Sequence, residues 1–417
     1  IMSCIFGNRN CYSKVVTLSK SEYVTFDDID FDIFGLSDEE VHEDIHYTYH
    51  NYEPVSVILS RKIVNEAKAE LDKLDLKSEF EKLTKFHLAE LQIGRLLGSG
   101  GQSNVFEIIA INKFTKRDYN NNGLGELDTG LSLRMDQEQD CGKHLEKPLA
   151  IKMLRHTLME TPLRFANAAF DLTLEAAFLS SLDHPNIVKL HAVSEGGMDG
   201  YHGGRHDSFF LILDHLPETL RGRIIRWQKY GKKLRKRLWT LRADKRDMEK
   251  NLFMIERLKV ASQIASGMAY LHSQRLVYRD LKPCNIGFDI QDQVKIFDFG
   301  LCGVLPTEGN FDVHNMIGGV GTHGYMSPEV AAHKPYNQGC DVFSFAVVLY
   351  EILSLKRPTL KCKGKVIDTS KLKISKQWPD PVKLILQQSL SHDIAERPSM
   401  EDILAVLRHT ISVLQDS

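Results

Sequence analysis

Four polar side chains in the second half of the sequence are of the types that phosphate chemistry needs. Asp280, Lys282 and Asn285 lie within six residues in the stretch YRDLKPCN, and Asp298 follows in the apolar run VKIFDFGL. A carboxylate in such an apolar run is costly to desolvate unless a partner such as a metal ion is present. Carboxylate and amide oxygens suit Mg²⁺ that holds nucleotide phosphates, and a lysine can offset charge on a phosphoryl group in transfer. These four residues therefore form a candidate site for a metal ion and a nucleotide.

A lysine in an apolar strand points to the same chemistry. Lys152 lies in the stretch LAIKML, where an unpaired ammonium group would also be costly to bury. It therefore needs a carboxylate partner, with a phosphate group as a second one. Glu175, on the helix predicted to follow this strand, is the natural candidate for the carboxylate.

The glycine-rich stretch LLGSGGQSNVFE, residues 96–107, allows two interpretations. Glycines in a hairpin commonly serve the turn itself, because they tolerate positive φ. The same stretch could also place backbone amides around phosphate, although Ser103 stands where a third glycine would be expected. The stretch by itself does not decide between a plain hairpin and a nucleotide loop.

The elements that would position these residues follow from periodicity. Strands are predicted on both sides of the glycine turn, around Lys152, and in the stretches NIVKLHAVSE and FFLILDHL. Leu172, Ala176 and Leu179 recur at helical spacing and predict the helix that carries Glu175. The second half is mainly helical, with the amphipathic segment LFMIERLKVASQIASGMAYLHSQ and the nearly all-apolar segment DVFSFAVVLYEILSL. The pattern predicts a small strand-rich lobe followed by a larger helical one.

Composition is that of a globular protein with no overall preference for nucleic acid or membranes. The 417 residues are 42% apolar and 26% charged, with a net charge of −2. The sequence has no apolar run of the ~18 residues that a membrane span needs, and its N-terminus lacks the apolar core of a secretory signal. It starts at Ile1, as a fragment would. Seven cysteines without a CxxC pair disfavour a disulfide framework or a zinc site and favour a reducing, intracellular setting.

Three regions outside the predicted lobes differ in character. Residues 1–54 predict an acidic, flexible N-terminal segment, with ten Asp or Glu and no Lys or Arg over 21–44. Residues 55–87 predict an amphipathic helical extension that packs against the following domain. Residues 111–147 predict a disordered polar insertion, because they are too long and too polar for a plain hairpin loop.

The order of the motifs resembles the eukaryotic protein kinase family. After the glycine loop come AIKML, LEAAFLSSLDHPNIVKL, YRDLKPCN, DFG, GTHGYMSPE, DVFSFAVVLYE and ERPSM, over about residues 88–413. A glycine loop alone is a weak match, whereas this many motifs in family order do not agree by chance.

The resemblance implies an α+β, two-lobed protein kinase fold, with a small antiparallel-sheet N-lobe that has one main helix and a larger, mostly helical C-lobe. The implied domain covers 88–414, with an N-lobe over 88–213 that holds the 111–147 insertion. Its C-lobe covers 217–414 and holds a basic insertion at about 229–250.

The resemblance also implies a role for each candidate residue. Asp280 would accept the proton of the substrate hydroxyl or orient that hydroxyl, and Lys282 would steady the γ-phosphoryl group. Lys152 would bind the α- and β-phosphates and pair with Glu175. The cation, Mg²⁺ or alternatively Mn²⁺, would be held by Asn285 and Asp298. The residues implied to surround ATP lie in the glycine loop, in two strands, in the hinge stretch at 213–216 and in the catalytic loop YRDLKPCN. They are Leu97, Gly98, Ser99, Gly100, Gly101, Gln102, Ser103, Val105, Ala150, Lys152, Leu213, Asp214, Leu216 and Asn285.

Local sequence implies the substrate class. DLKPCN with Lys282, and GTHGY with Thr322, resemble serine/threonine kinases, whereas DVFSFAVVLYEIL and RPSMEDILAVL resemble the tyrosine-kinase-like group. The implied function is that of a tyrosine-kinase-like serine/threonine kinase that phosphorylates proteins in the cytoplasm, with the nucleus as a further location. A pseudokinase scaffold that binds nucleotide without transfer, and a dual-specificity kinase, stay open as alternatives.

Several residues depart from the family pattern without removing a catalytic group. Ser103 replaces the third loop glycine, and Tyr278 stands where many members have His. Gly287 occupies a position under the adenine that is commonly bulky and apolar, which predicts weaker nucleotide binding. Arg279 stands just before the catalytic Asp, and in the family an arginine there commonly binds a phosphate on the activation loop. Thr307 is the predicted phosphorylation site.

The basic run over residues 221–250 has thirteen Lys or Arg against three acids. It predicts either a solvated helix face or a docking surface for an acidic protein partner or for the 21–44 segment of the same chain. A nuclear import signal at 232–237 is a further interpretation. Nucleic acid is disfavoured as a partner, because the domain as a whole is not basic.

Overall fold

The computed structural model describes residues 80–112, 147–203, 205–238, 242–306, 313–314, 316, 318–358 and 366–416, together with residue 65. The acidic segment predicted over 1–54, most of the helical extension at 55–87, most of the 111–147 insertion, and Thr307 lie outside the described residues.

A six-stranded sheet forms the N-terminal lobe. Its strands are β1 (Thr84–Phe86), β2 (Leu91–Ser99), β3 (Ser103–Ile111), β4 (Leu149–Leu154), β5 (Leu190–Ser194) and β6 (Phe210–Asp214). Their spatial order is β1-β5-β6-β4-β3-β2. Strands β2 to β6 pair antiparallel, whereas β1 joins β5 in parallel register. The sheet thus begins at Thr84, ahead of the predicted domain start at residue 88.

One long helix, α1 (Pro162–Ser181), packs against this sheet. Small residues such as Ala169, Ala176 and Ala177 are fully buried along it, as is Phe165. These residues join a core cluster that continues into the second lobe. The helix is therefore packed on more than one side, which fixes the direction of the polar side chains it carries.

The second lobe is built from helices and short strands. Its helices are α2 (Leu220–Leu238), α3 (Ala243–Ser273), α4 (Pro328–Ala331), α5 (Gly339–Ser354), α6 (Asp380–Ser389) and α7 (Met400–Gln415). Its strands are β7 (Glu218–Thr219), β8 (Leu276–Val277), β9 (Ile286–Phe288), β10 (Val294–Ile296) and β11 (Gly303–Val304). The predicted two-lobed α+β architecture is confirmed. In the part of the chain that the structure describes, no helix is long and apolar enough to cross a membrane.

Helix α5 lies at the centre of the second lobe, as its nearly uniform apolar sequence predicts. Every residue from Cys340 to Leu353 is buried. Two of them, Asp341 and Glu351, carry carboxylates, and both accept hydrogen bonds from outside the helix. The helix therefore serves as a core element that also positions polar groups around it.

A buried arginine closes the C-terminal end of α5. Arg257 of α3 is 7% exposed, and its guanidinium donates to the carbonyl oxygens of Leu353 at 2.8 Å and Ile352 at 3.4 Å. Burial lowers the pKa of Arg257 to about 10. Carbonyls in the last helical turn have no intrahelical partner and carry the negative end of the helix dipole, so a cation is favourable there.

We expect Arg257→Met to destabilise the protein by about 1–3 kcal/mol, because two buried carbonyls lose their donors. The free energy of unfolding in urea measures this effect. Arg408→Met, at an exposed arginine of α7, is the matched control and should change stability by less than about 0.5 kcal/mol. Equal effects of the two changes would contradict the capping role.

Candidate active site

A buried ion cluster joins the two lobes. Lys152 of β4 donates to both carboxylate oxygens of Glu175 on α1, at 2.8 and 2.6 Å, and to Oδ1 of Asp298 at 3.1 Å. Lys152 is 8% exposed and Glu175 is 3% exposed. The lysine and the glutamate thus meet as the sequence predicts, and the third member comes from the other lobe.

The charges of this cluster perturb one another. Burial opposes the ionised form of Lys152, but the negative charges of Asp298 and Glu175 raise its pKa above the ordinary value. The Lys152 ammonium in turn holds the pKa of Asp298 below its usual range. Burial raises the pKa of Glu175 to about 7, against the opposing charge of Lys152. The Lys152 ammonium group therefore stays charged within the cluster.

Asp280 lies at the centre of a hydrogen-bonded cluster. Its Oδ2 accepts from Lys282 at 2.6 Å and from Asn285 Nδ2 at 2.9 Å, and its Oδ1 accepts from the Thr322 hydroxyl at 2.6 Å. Lys282 also donates to Thr322 Oγ1 at 2.8 Å. The structure thus places the Thr322 hydroxyl directly on the Asp280 carboxylate. Such a held carboxylate can accept or orient the proton of a hydroxyl.

Asp341 of α5 binds the backbone just before Asp280. Its carboxylate is wholly buried and accepts from the backbone N–H groups of Tyr278 at 2.8 Å and Arg279 at 2.7 Å, and it contacts His272 Nε2 at 3.1 Å. Arg279 has φ 68°, a left-handed conformation that costs energy outside glycine. Sequence reasoning missed this role of Asp341. The signal was present, because a carboxylate in an apolar helix needs partners for the same reason as Asp298.

The side chains of Asn285 and Asp298 fit a divalent cation. The Asn285 amide nitrogen donates to the backbone oxygen of Asp280 at 3.0 Å, which leaves its carbonyl oxygen free. Asp298 keeps 45% of its side chain exposed. Among the described residues, no group of three or more His, Cys, Asp or Glu could hold a metal ion without other ligands. Mg²⁺ commonly takes only one or two protein carboxylates, and phosphate oxygens and waters supply the rest.

The glycine loop is a hairpin turn with open space around it. Strands β2 and β3 pair on either side, and Gly100 N–H donates to Ser103 O at 2.8 Å. A Cβ added at Gly98 or Gly101 would meet nothing within 4 Å, and at Gly100 only Ser103 O at 3.6 Å. Positive φ does not explain these glycines, since it occurs at none of the three. The two interpretations of this stretch are therefore compatible: the hairpin leaves backbone accessible to a ligand.

The other residues predicted to surround ATP lie mainly on neighbouring strands of the N-terminal sheet. Ala150 pairs with Leu213 in the sheet, and Val105 pairs with Gly98 and Lys152. Leu97 is half-buried and Ser99 is exposed, and the Ser99 hydroxyl donates to Asn104 at 2.8 Å. The Asp214 carboxylate accepts from Lys189 N at 3.0 Å and contacts His191 at 2.9 Å. Its backbone N–H also donates to Lys189 O at 3.2 Å, so both the side chain and the N–H of Asp214 are engaged by the chain around β5.

Leu216 packs closely against Gly287, the position at which many family members carry a bulky apolar residue. A Cβ at this position would lie 2.7 Å from Leu216 Cδ1 and 3.1 Å from Leu216 Cβ. The leucine side chain from the hinge thus takes the space that a larger residue at 287 would fill. Weaker nucleotide binding at Gly287 stays a prediction, and the packing of Leu216 against this position argues against it.

Tyr278 links two segments of the second lobe. The residue is fully buried, and its hydroxyl donates to the backbone oxygen of Phe297, next to Asp298. Its ring lies edge-on to Phe299, with 5.3 Å between centroids. The tyrosine therefore ties the catalytic loop to the segment that carries Asp298.

Arg279 is already engaged by the segment after Gly300. Its guanidinium donates to the carbonyl oxygens of Leu301 and Cys302 and to the Tyr336 hydroxyl at 3.4 Å. Phosphorylation of Thr307 stays a prediction. Elsewhere in the second lobe, Arg397 makes a bidentate ion pair with Glu329, with N–O distances of 2.7 and 2.8 Å.

Comparison with known proteins identifies the family. The protein kinase domain model matches residues 139–407, more than half of the chain. The chain therefore belongs to the protein kinase family.

Individual relatives match parts of the chain. It is 35% identical over 174 residues to serine/threonine-protein kinase STY17 of Arabidopsis thaliana, covering 40% of this chain and 30% of that relative. It is 35% identical over 167 residues to serine/threonine-protein kinase VIK of Arabidopsis thaliana, covering 34% and 35%. It is 28% identical over 236 residues to probable serine/threonine-protein kinase mkcB of Dictyostelium discoideum, covering 55% and 28%. The chain spans about a third of the length of these relatives.

We expect Lys152→Met to reduce peptide phosphorylation by at least about a hundredfold. The change removes a phosphate contact and leaves the buried Glu175 carboxylate without its ion pair to Lys152. Glu175→Gln should do less damage. The double change should cost much less than the product of the two single effects, since the pair acts as a unit. Turnover assays of the three variants test this, and strictly multiplicative losses would argue against the pairing.

Proposed function

We propose that this chain is an ATP- and Mg²⁺-dependent protein kinase that transfers the γ-phosphoryl group to serine or threonine of protein substrates. The observation that carries the proposal is the Asp280 cluster, in which Lys282, Thr322 and Asn285 converge on one carboxylate. Lys282 and Thr322 belong to the motifs that resemble serine/threonine kinases. The names of the relatives point to the same substrate class.

Each protein group has a place in the proposed reaction. The backbone of the glycine loop and the Lys152 ammonium bind the ATP phosphates, while Asp298 and the free oxygen of Asn285 hold Mg²⁺, which neutralises phosphate charge when bound. Asp280 orients the substrate hydroxyl and accepts its proton. Lys282 offsets charge that builds up on the transferring group. Catalysis is then mainly positioning and electrostatic stabilisation.

The pseudokinase alternative is disfavoured by the completeness of this set. Lys152 bonds to its expected partner Glu175 and also to Asp298, and Asp280 accepts from Lys282. The hydroxyl of the variant Tyr278 donates to the backbone next to Asp298. A scaffold without transfer has no need to hold Asp280 by three donors. Dual specificity stays an outcome that substrate assays decide.

Asp280→Asn should abolish most phosphoryl transfer, with a loss of at least about a thousandfold, while ATP affinity changes less than about threefold. The reason is that this carboxylate faces the substrate hydroxyl rather than the nucleotide. Calorimetry with an ATP analogue and a peptide-phosphorylation assay measure the two quantities. Near-normal turnover in the variant would overturn the assignment, whereas loss of ATP binding would point to misfolding. Peptides with Ser, Thr or Tyr as the acceptor test the substrate class.

A basic surface on α2 supports the proposed docking of an acidic segment. Lys229, Lys232, Lys233 and Lys236 are exposed and recur at the spacing of one helix face. The opposite face is buried through Leu220, Ile224, Trp227 and Leu234. None of the four lysines forms an ion pair within the described residues.

We propose that this lysine face binds the acidic segment at 21–44, which carries ten acids and no basic residue. An acidic protein partner would use the same surface. Residues 232–237 also support import into the nucleus as an addition to the proposed cytoplasmic location.

A synthetic 21–44 peptide should bind a form of the chain without residues 1–54, and its Kd should rise by about tenfold between ~50 and ~200 mM salt, because exposed charges are screened. Changing the four lysines to alanine should abolish binding and leave peptide turnover within about twofold. A peptide with Asn and Gln at the acidic positions is the control. Binding that does not depend on salt, or none at all, would contradict the docking.

A further inference from the structure

The side chain at the tip of the glycine loop is tied to helix α1. Gln102 Nε2 donates to Asp171 Oδ2 at 2.9 Å, which joins residues 69 positions apart. Asp171 is 8% exposed. A hydrogen bond to a nearly buried carboxylate is stronger than one between neutral groups at the surface.

Asp171 occupies a junction of three elements. It lies one helical turn before Glu175 on α1, so both carboxylates are on the same helix face. A Cβ added at Gly300, two residues after Asp298, would lie 3.6 Å from Asp171 Cβ. The glycine loop, α1 and the Asp298 segment therefore meet at this side chain.

The stem of the loop has separate anchors. Arg155, just after β4, donates its backbone N–H to Gln102 O at 2.9 Å and its Nη1 to Gly100 O at 3.2 Å. These bonds involve only the loop backbone. They would persist when the Gln102 side chain is removed, so the bond to Asp171 is an additional contact that holds the loop to the helix.

We propose that Gln102 is a positioning residue, which through Asp171 holds the loop tip over the phosphate site while α1 presents Glu175 to Lys152. The inference rests on the proposed function, because it concerns the binding of the ATP phosphates. A rotation or shift of α1 displaces Asp171 and Glu175 together, since they share one face. Loop closure and the Lys152–Glu175 pair are thereby coupled, and binding of the nucleotide phosphates favours both.

Gln102→Ala in the full chain tests the proposal. Affinities for a non-hydrolysable ATP analogue and for adenosine are measured by calorimetry. The affinity for the analogue should fall about five- to tenfold, which is the effect of one lost hydrogen bond of this type. The affinity for adenosine, which has no phosphate, should change less than about twofold. If Gln102 had a purely structural role, the variant would bind both ligands more weakly by the same factor, and that result would overturn the proposal.

Variants of Asp171 give the matched controls. Asp171→Asn keeps a carbonyl oxygen that can accept a weaker, neutral hydrogen bond from Gln102, so it should lose less affinity for the analogue than Gln102→Ala does. Asp171→Ala should reduce the affinity for the analogue as much as Gln102→Ala does. The double variant should bind the analogue no more weakly than either single variant. Multiplicative single effects would overturn the coupling.

Wild-type binding of the analogue separates the two hypotheses. If the wild type binds it and the single variants bind equally well, the positioning role is wrong and the proposed function stands. If the wild type does not bind it, the proposed function is wrong and this inference with it.

Discussion

The need to satisfy one fully buried carboxylate organises the active site. Asp341 lies in the apolar helix α5 and is 0% exposed. An unpaired charge there would be prohibitively costly, so the backbone N–H groups of residues 278 and 279 must point at it. This requirement holds Arg279 in its left-handed conformation. It also sets the position from which Asp280 projects, because the chain direction is fixed one residue earlier.

From this carboxylate, a continuous series of polar contacts leads across the molecule. The Tyr278 hydroxyl bonds to the backbone beside Asp298, Asp298 accepts from Lys152, and Lys152 bonds to Glu175 of α1. Each contact is buried or partly buried, so solvent screens it weakly. The core of the second lobe and the helix of the first are thereby linked through the groups that would handle phosphate. This arrangement couples the fold to the chemistry, since few of these bonds can shift without moving a candidate functional residue.

The sequence allowed much of this arrangement to be predicted, because its motifs report local chemistry. Apolar runs interrupted by Lys152 or Asp298 indicate buried charges, and glycines between two strands indicate a turn. Contacts between distant segments are harder to predict. The bond from Gln102 to Asp171 spans 69 positions, and the place of Leu216 beside Gly287 depends on how the hinge enters the second lobe. Asp341 could have been found by the same reasoning that found Asp298, but two of its partners are backbone N–H groups that carry no sequence signal, and the third, His272, is distant in the sequence.

The parallel strand β1 has a consequence for the integrity of the sheet. Thr84, Lys85 and Phe86 pair with Ala192, Val193 and Ser194 of β5, so they cover what would otherwise be the outer edge of that strand. Phe80, just upstream, is 4% exposed, and its ring is tilted against that of Phe209, with 6.5 Å between centroids. A shortened form that began at residue 88 would lose this cover. In this form β5 would be an unpaired edge strand, and the apolar surface that Phe80 covers would be exposed beside it. Such edges promote association between copies of a chain. The residues just ahead of the family motifs therefore protect the domain from self-association.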